Sequence, residues 1–128
     1  MKMKLLLGLF LCLFSCSSGI GNAASTEAPI QQLIPVAGQI KELRCRASTA
    51  NDSDESWTIT VRTLRANTTV TINTLLACTI GVSAQTCSNL VNTVPVEIGD
   101  LVSFFVDNTA GASPSIIVRC SSIVYEYR

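Results

Sequence analysis

Ser56 to Arg65 reads SWTITVRTLR, and its alternation decides the fold class. Successive side chains of an extended chain point to opposite faces, so Trp57, Ile59 and Val61 share one side and Thr58, Thr60 and Arg62 the other. One apolar face and one polar face mark a half-buried strand of an antiparallel sheet. Trp57 lies among aliphatic neighbours on the apolar side and is assigned to the core.

The same reading extends in both directions. Ala66-Asn67 supplies a turn, after which Thr69 to Leu76 repeats the pattern with Val70, Ile72 and Leu76 inward. Val94, Val96 and Ile98 form a further inward set, and Gly99-Asp100 turns the chain into LVSFFVD. Leu101 to Val106 is apolar on both faces, as in a strand that is central or covered on both sides. Asn108 to Pro114 is a loop by its Gly, Ser and Pro content. Ser115 to Tyr127 is the last strand, interrupted near Ser121-Ser122, with Ile116, Val118 and Cys120 inward. In the first long strand Leu43, Cys45 and Ala47 point inward. No segment has a helical period or an internal repeat. The chain from Gln39 onward therefore predicts seven or eight short strands in an all-β antiparallel β-sandwich.

The N-terminus reads as an address. MKMK leads into LLLGLFLCLF, a basic start followed by an apolar run from Leu5 to Phe14 that is too short to span a bilayer as a helix. Two processing sites follow this export signal. Gly21-Asn22-Ala23 is a small-x-small pattern whose cleavage, near Ala24, frees a soluble chain. Leu13-Phe14-Ser15-Cys16 resembles the lipobox of bacterial lipoproteins, with Phe14 where that pattern has a small residue. Cleavage there would leave Cys16 acylated and the protein an outer-membrane lipoprotein. The expected organisation is an export signal over 1–24, with cleavage before Cys16 as the alternative, a tether over 25–35 and a sandwich domain over 36–128.

Beyond the signal, four cysteines remain: Cys45, Cys78, Cys87 and Cys120. An even count in a small exported domain implies disulfides. A hairpin turning at Gly81 to Ala84 would pair Ile80 with Gln85 and set Cys78 opposite Cys87, within bridging distance. Cys45–Cys120 follows by elimination, and both of its residues lie on inward faces. A zinc site of four thiolates is disfavoured because the chain contains no Cys-x-x-Cys pair.

Charge and chemistry exclude several functions. After residue 24 the chain carries seven basic and nine acidic residues, which is no footprint for nucleic acid. Its densest basic cluster, Lys41, Arg44 and Arg46, reads as a solvated strand face. The chain has no histidine, which removes the Ser-His-Asp and Cys-His arrangements and leaves no catalytic set. Asp52, Asp54 and Glu55 could offer carboxylates to a glycosidase or to calcium, but they crowd one polar turn and lack the EF-hand spacing. No cofactor and no metal ligand is assigned.

The succession PVAGQIKELRCRAS, SWTITVRTLR, LLACTIGVSAQTCSN, VPVEIGDLVSFFV and IIVRCSSIVYEY resembles the jelly-roll knob domains at the tips of phage tail fibres and in bacterial collagen-like surface proteins. These are relatives in shape of C1q/TNF-like heads. The resemblance covers Pro35 to Tyr127, and its sharpest elements are the cysteine hairpin and V-x-V-x-x-G-D-L-V at Val94 to Val102. It implies a homotrimeric binding head, here without a Gly-x-y stalk or heptads ahead of it. Ile117, Ile123, Tyr125 and Tyr127 lie on the face of the last strand opposite its inward set. With only 16 charged residues after residue 24, they are the expected self-association surface. The function expected is a non-catalytic surface or structural module that binds itself or another macromolecule, the alternative being a carbohydrate-binding sandwich.

Overall fold

The computed structural model describes residues 3–11, 31–50, 56–108 and 118–127, the first group as backbone. These residues form the strands β1 (Met3–Leu11), β2 (Gln32–Leu33), β3 (Gly38–Ala47), β4 (Trp57–Leu64), β5 (Thr71–Ile80), β6 (Thr86–Asn89), β7 (Val94–Val96), β8 (Leu101–Asn108) and β9 (Val118–Tyr127). One sheet has the order β1-β9-β3-β6 with β7 also on β3, and the other the order β2-β8-β4-β5. Every pairing is antiparallel. β6 and β7 take successive stretches of one edge of β3, at Leu43–Arg46 and Gly38–Ile40. Taken as one interrupted strand, they leave eight strand positions, and the chain changes sheet at every connection except the one from β4 to β5, which is the two-Greek-key order of a jelly roll.

The alternation read in SWTITVRTLR is the alternation observed. Trp57, Ile59 and Val61 are fully buried between the sheets, beside Ile40, Leu43, Leu76, Ile80, Val96, Val118 and Val124. β8 lies between β2 and β4, so its two apolar faces are both used. Val102, Phe104 and Val106 fill the core, while on the outer side the Arg62 guanidinium lies 4.3 Å from the Phe105 ring centroid.

Elsewhere the structure corrects the sequence reading. Val70 and Ile72 are 67% and 50% exposed rather than inward. Thr74, Leu75 and Leu76 bulge opposite Val61 between the pairs Thr60↔Ala77 and Arg62↔Asn73, and before that bulge a cleft of about 290 Å³ opens beside Ile72, Asn92 and Pro95. Ile98 is exposed because β7 ends at Val96. The chain then turns through Gly99, whose φ of +88° suits glycine. The irregularity expected at Ser121-Ser122 lies on the partner strand. Between Lys41↔Ile123 and Arg44↔Ser121, Glu42 and Leu43 together oppose Ser122. This bulge moves the inward set of β3 from Ile40 to Leu43, Cys45 and Ala47.

The cysteine corner differs most. Cys78–Cys87 and Cys45–Cys120 are both bridged, but β5 and β6 form no hairpin, since they belong to different sheets. The turn at Gly81–Ala84, closed by Ala84 N–H donating to the Gly81 carbonyl at 3.1 Å, carries the chain from one sheet to the other. Cys78–Cys87, with Cα atoms 5.7 Å apart, therefore ties the two sheets together. Cys45 and Cys120 face each other on adjacent strands with Cα atoms 4.1 Å apart.

Two parts of the expected organisation take other positions. Residues 32–34, expected in the tether, belong to the sandwich: β2 pairs with β8 and Ile34 is fully buried. The apolar run expected as the signal core contributes β1 along the free edge of β9.

Candidate interaction face

β9 positions the expected interface. Val118, Cys120, Ser122 and Val124 point into the core, so Ile123, Tyr125 and Tyr127 fall on the outer side, where they are half-buried. β3 flanks this row on one side, with Lys41 opposite Ile123 and Gln39 opposite Tyr125. The Lys41 ammonium lies 5.2 Å from the Tyr125 ring centroid, at cation–π range. β1 flanks it on the other side, with Leu9, Leu5 and Met3 in register with Ile123, Tyr125 and Tyr127. Gly38 makes the close approach possible, because a side-chain carbon there would overlap the Tyr125 carbonyl oxygen. Ile117, Cys16 and the carboxylates Asp52, Asp54 and Glu55 lie outside the described residues.

Further along the same face, beyond the β3 bulge, Arg46 is opposite Arg119 and Arg44 opposite Ser121. On its other side β3 sets Arg46 opposite Thr86 and Arg44 opposite Ser88. Sequence reading had grouped Lys41 with Arg44 and Arg46. The register separates Lys41 by the bulge and adds Arg119, more than seventy positions away in the chain. Only strand pairing brings it there.

Sequence reading also missed an exposed apolar group at the β5 edge. Leu75, Leu90 and Val91 are 80%, 54% and 87% exposed. They are gathered by Asn89, whose side-chain amide donates to the carbonyls of Leu75 at 3.4 Å and Ala77 at 2.9 Å. The adjacent apolar pairs Leu75-Leu76 and Leu90-Val91 were the available signal, since strict alternation cannot bury both members of such a pair.

The sulfur atoms of Cys45, Cys78 and Cys87 lie within 4.8 Å of one another, but disulfide sulfur is neither a thiolate ligand nor a nucleophile. Of the described carboxylates, Asp100 is buried and engaged by Arg65 Nη1 at 2.6 Å.

Strand order and pairing define the class: a jelly-roll β-sandwich of TNF-like shape. Among solved structures, the Eiger TNF from S. frugiperda is similar to it, at 12% identity over 98% of this chain and 92% of that chain, with a TM-score of 0.50. Likeness at that identity establishes the fold. No family model matches the sequence, and no curated protein does.

Proposed function

We propose that the chain is an exported, non-catalytic surface or structural module that acts by self-association or by binding another macromolecule. The observation that supports this most is the row of Ile123, Tyr125 and Tyr127, aligned on the outer side of β9 and adjoining an edge that, among the described residues, is paired with β1 alone. Cleavage near Ala24 and cleavage before Cys16 both remove residues 3–11. By either route the exported protein loses β1, and the β9 backbone acquires a row of unpaired N–H and C=O groups. An open edge beside an apolar row favours pairing with another chain. Two disulfides suit the oxidising compartments outside the cytoplasm.

The finer reading is a knob of the kind carried by phage tail fibres and bacterial collagen-like surface proteins, and from that resemblance the homo-oligomer is a trimer. Light scattering on the exported protein tests the self-association arm of the proposal: an oligomer is expected, and a monomer at tens of micromolar rejects that arm and leaves binding to another macromolecule. In the lipoprotein form, Cys16→Ser abolishes extraction with detergent, since a lipid on Cys16 is then the membrane attachment. An intact-mass N-terminus at Ala24 or Ser25 excludes that form. The second reading, a carbohydrate-binding sandwich, draws on Tyr125 with Lys41 beside it and is tested on a glycan array.

A further inference from the structure

The outer face of β9, β3 and β6 carries three arginines arranged against their own electrostatics. Arg46 and Arg119 are direct cross-strand partners, so their Cα atoms stand about 4.5–5.5 Å apart and their side chains leave the sheet on the same side. Like charges in that relation are destabilising. Arg44 lies two residues along β3 on the same face. All three are exposed, and among the described residues none meets a carboxylate, the ion pair there being Arg65–Asp100. A sheet can avoid this arrangement by changing one residue, so three guanidinium groups in one place without a carboxylate partner among the described residues require a reason.

The surroundings supply one. The arginines line a groove of about 660 Å³, and the other polar side chains in it, Thr86, Ser88 and Ser121, are hydroxyls with no acidic group among them. Guanidinium forks bind sulfate and phosphate oxygens bidentately, and hydroxyls donate to the oxygens left over. The groove is of the size that holds an extended small molecule, larger than one tetrahedral anion fills. On the same sheet face Tyr125, with Lys41 against its ring, continues the row beyond the bulge.

We propose that this groove is an anion-binding site for sulfate or phosphate ester groups carried on a polysaccharide, with Arg46 and Arg119 clamping one ester group and Arg44 reaching the next. The proposal rests on the reading of the chain as a binding module and names the ligand class of that module. Carbohydrate is favoured over a membrane because the site is a groove in the middle of a sheet and, among the described residues, no exposed large apolar residue stands beside the arginines to enter a bilayer.

The test uses the exported protein with dextran sulfate, uncharged dextran, inorganic phosphate and phosphatidylglycerol vesicles as separate probes. Dextran sulfate should bind, raise the melting temperature and weaken steeply with added salt, while dextran does nothing and inorganic phosphate binds at least about tenfold more weakly. Arg46→Gln with Arg119→Gln should lower the affinity for dextran sulfate at least about tenfold, and the corresponding double Lys variant should recover only part of it, because an ammonium cannot form the fork. Arg119→Gln alone should raise the melting temperature in the absence of polyanion by removing the repulsion. Arg62→Gln, on the outer face of the other sheet, is the control. An equal loss in that variant, vesicle binding as tight as dextran sulfate binding, or phosphate binding as tight as the polymer overturns the assignment. Light scattering on the same samples keeps the two readings apart: an oligomer indifferent to dextran sulfate overturns the anion site and leaves the self-associating module standing.

Discussion

Three chain segments converge on Asp100, a residue 1% exposed. Its carboxylate accepts from the N–H of Ala66 at 3.2 Å and of Glu97 at 2.9 Å, and from the Arg65 guanidinium at 2.6 Å. Its backbone carbonyl accepts from Ile34 N–H at 2.8 Å. The β4–β5 turn, the β7–β8 turn and the exit of β2 are thus fixed by one side chain and its own peptide. Arg65 also donates to the Pro95 carbonyl at 3.2 Å, so a lost carboxylate would release more than one contact. Asp100→Ala should cost about 2–4 kcal/mol, read as a fall in the urea midpoint, because it leaves buried N–H donors unpaired. Asp100→Asn keeps one acceptor and should cost less; an Ala variant as stable as the parent would refute the role. Gly38→Ala acts through shape alone. The added methyl must displace the Tyr125 carbonyl, so about 1–3 kcal/mol should be lost, with faster amide exchange confined to the β3–β9 ladder.

At the level of strands, the sequence showed faces and hid partners. SWTITVRTLR is legible because each residue's neighbour decides its side, and the same logic read β8 as apolar on both faces and Val118 and Cys120 of β9 as inward. It failed where alternation is broken by backbone geometry. The β3 bulge at Glu42, whose φ is +60° without a glycine, leaves no compositional mark, and neither does the β5 bulge that changes the setting of Ile72. The cysteines show the same division. Cys78–Cys87 was derived from a hairpin and Cys45–Cys120 by elimination from it; both bridges are present, but the hairpin is not, because a turn at Gly81 to Ala84 serves equally for a crossing between sheets. Arg119 was illegible as a partner of Arg46, since register over a separation of that length is set by the whole sheet. The two bridges should differ in weight. Cys45–Cys120 closes a separation of 75 residues and Cys78–Cys87 one of 9, so chain entropy assigns them about 4.5 and about 2.7 kcal/mol. The double Cys45→Ser, Cys120→Ser variant should melt lower than Cys78→Ser, Cys87→Ser, and full reduction should lower the melting temperature by more than about 10 °C. Reversal of that order would show that tying the sheets together matters more than loop length.

For the whole molecule, the decisive fact is that the last strand of one sheet has an N-terminal segment for its outer neighbour. β1 pairs with β9 from Met3↔Tyr127 to Leu11↔Ser121, with a shift between Leu5 and Leu9. Under the proposed maturation that segment is discarded, and Ile123, Tyr125 and Tyr127 lose one flank while keeping Lys41 and Gln39 on the other. The chain has little charge with which to protect the new edge, since charged residues make up 14% of the sequence against roughly 25% in ordinary soluble domains. Glu126 is the one acidic residue within the described part of β9. Association through this edge would restore the lost backbone hydrogen bonds and cover the tyrosines in one step. Tyr125→Glu should therefore weaken the oligomer of the exported protein by at least about tenfold in dissociation constant, placing a carboxylate where apolar surface is covered, while circular dichroism and melting of the monomer change little. A precursor that keeps residues 3–11, held in detergent, should remain monomeric under conditions in which the exported form associates. An exported protein that associates equally well with Glu at position 125, or a precursor that associates as strongly as the exported form, would move the interface elsewhere, and the exposed group of Leu75, Leu90 and Val91 at the β5 edge would be the next surface to substitute.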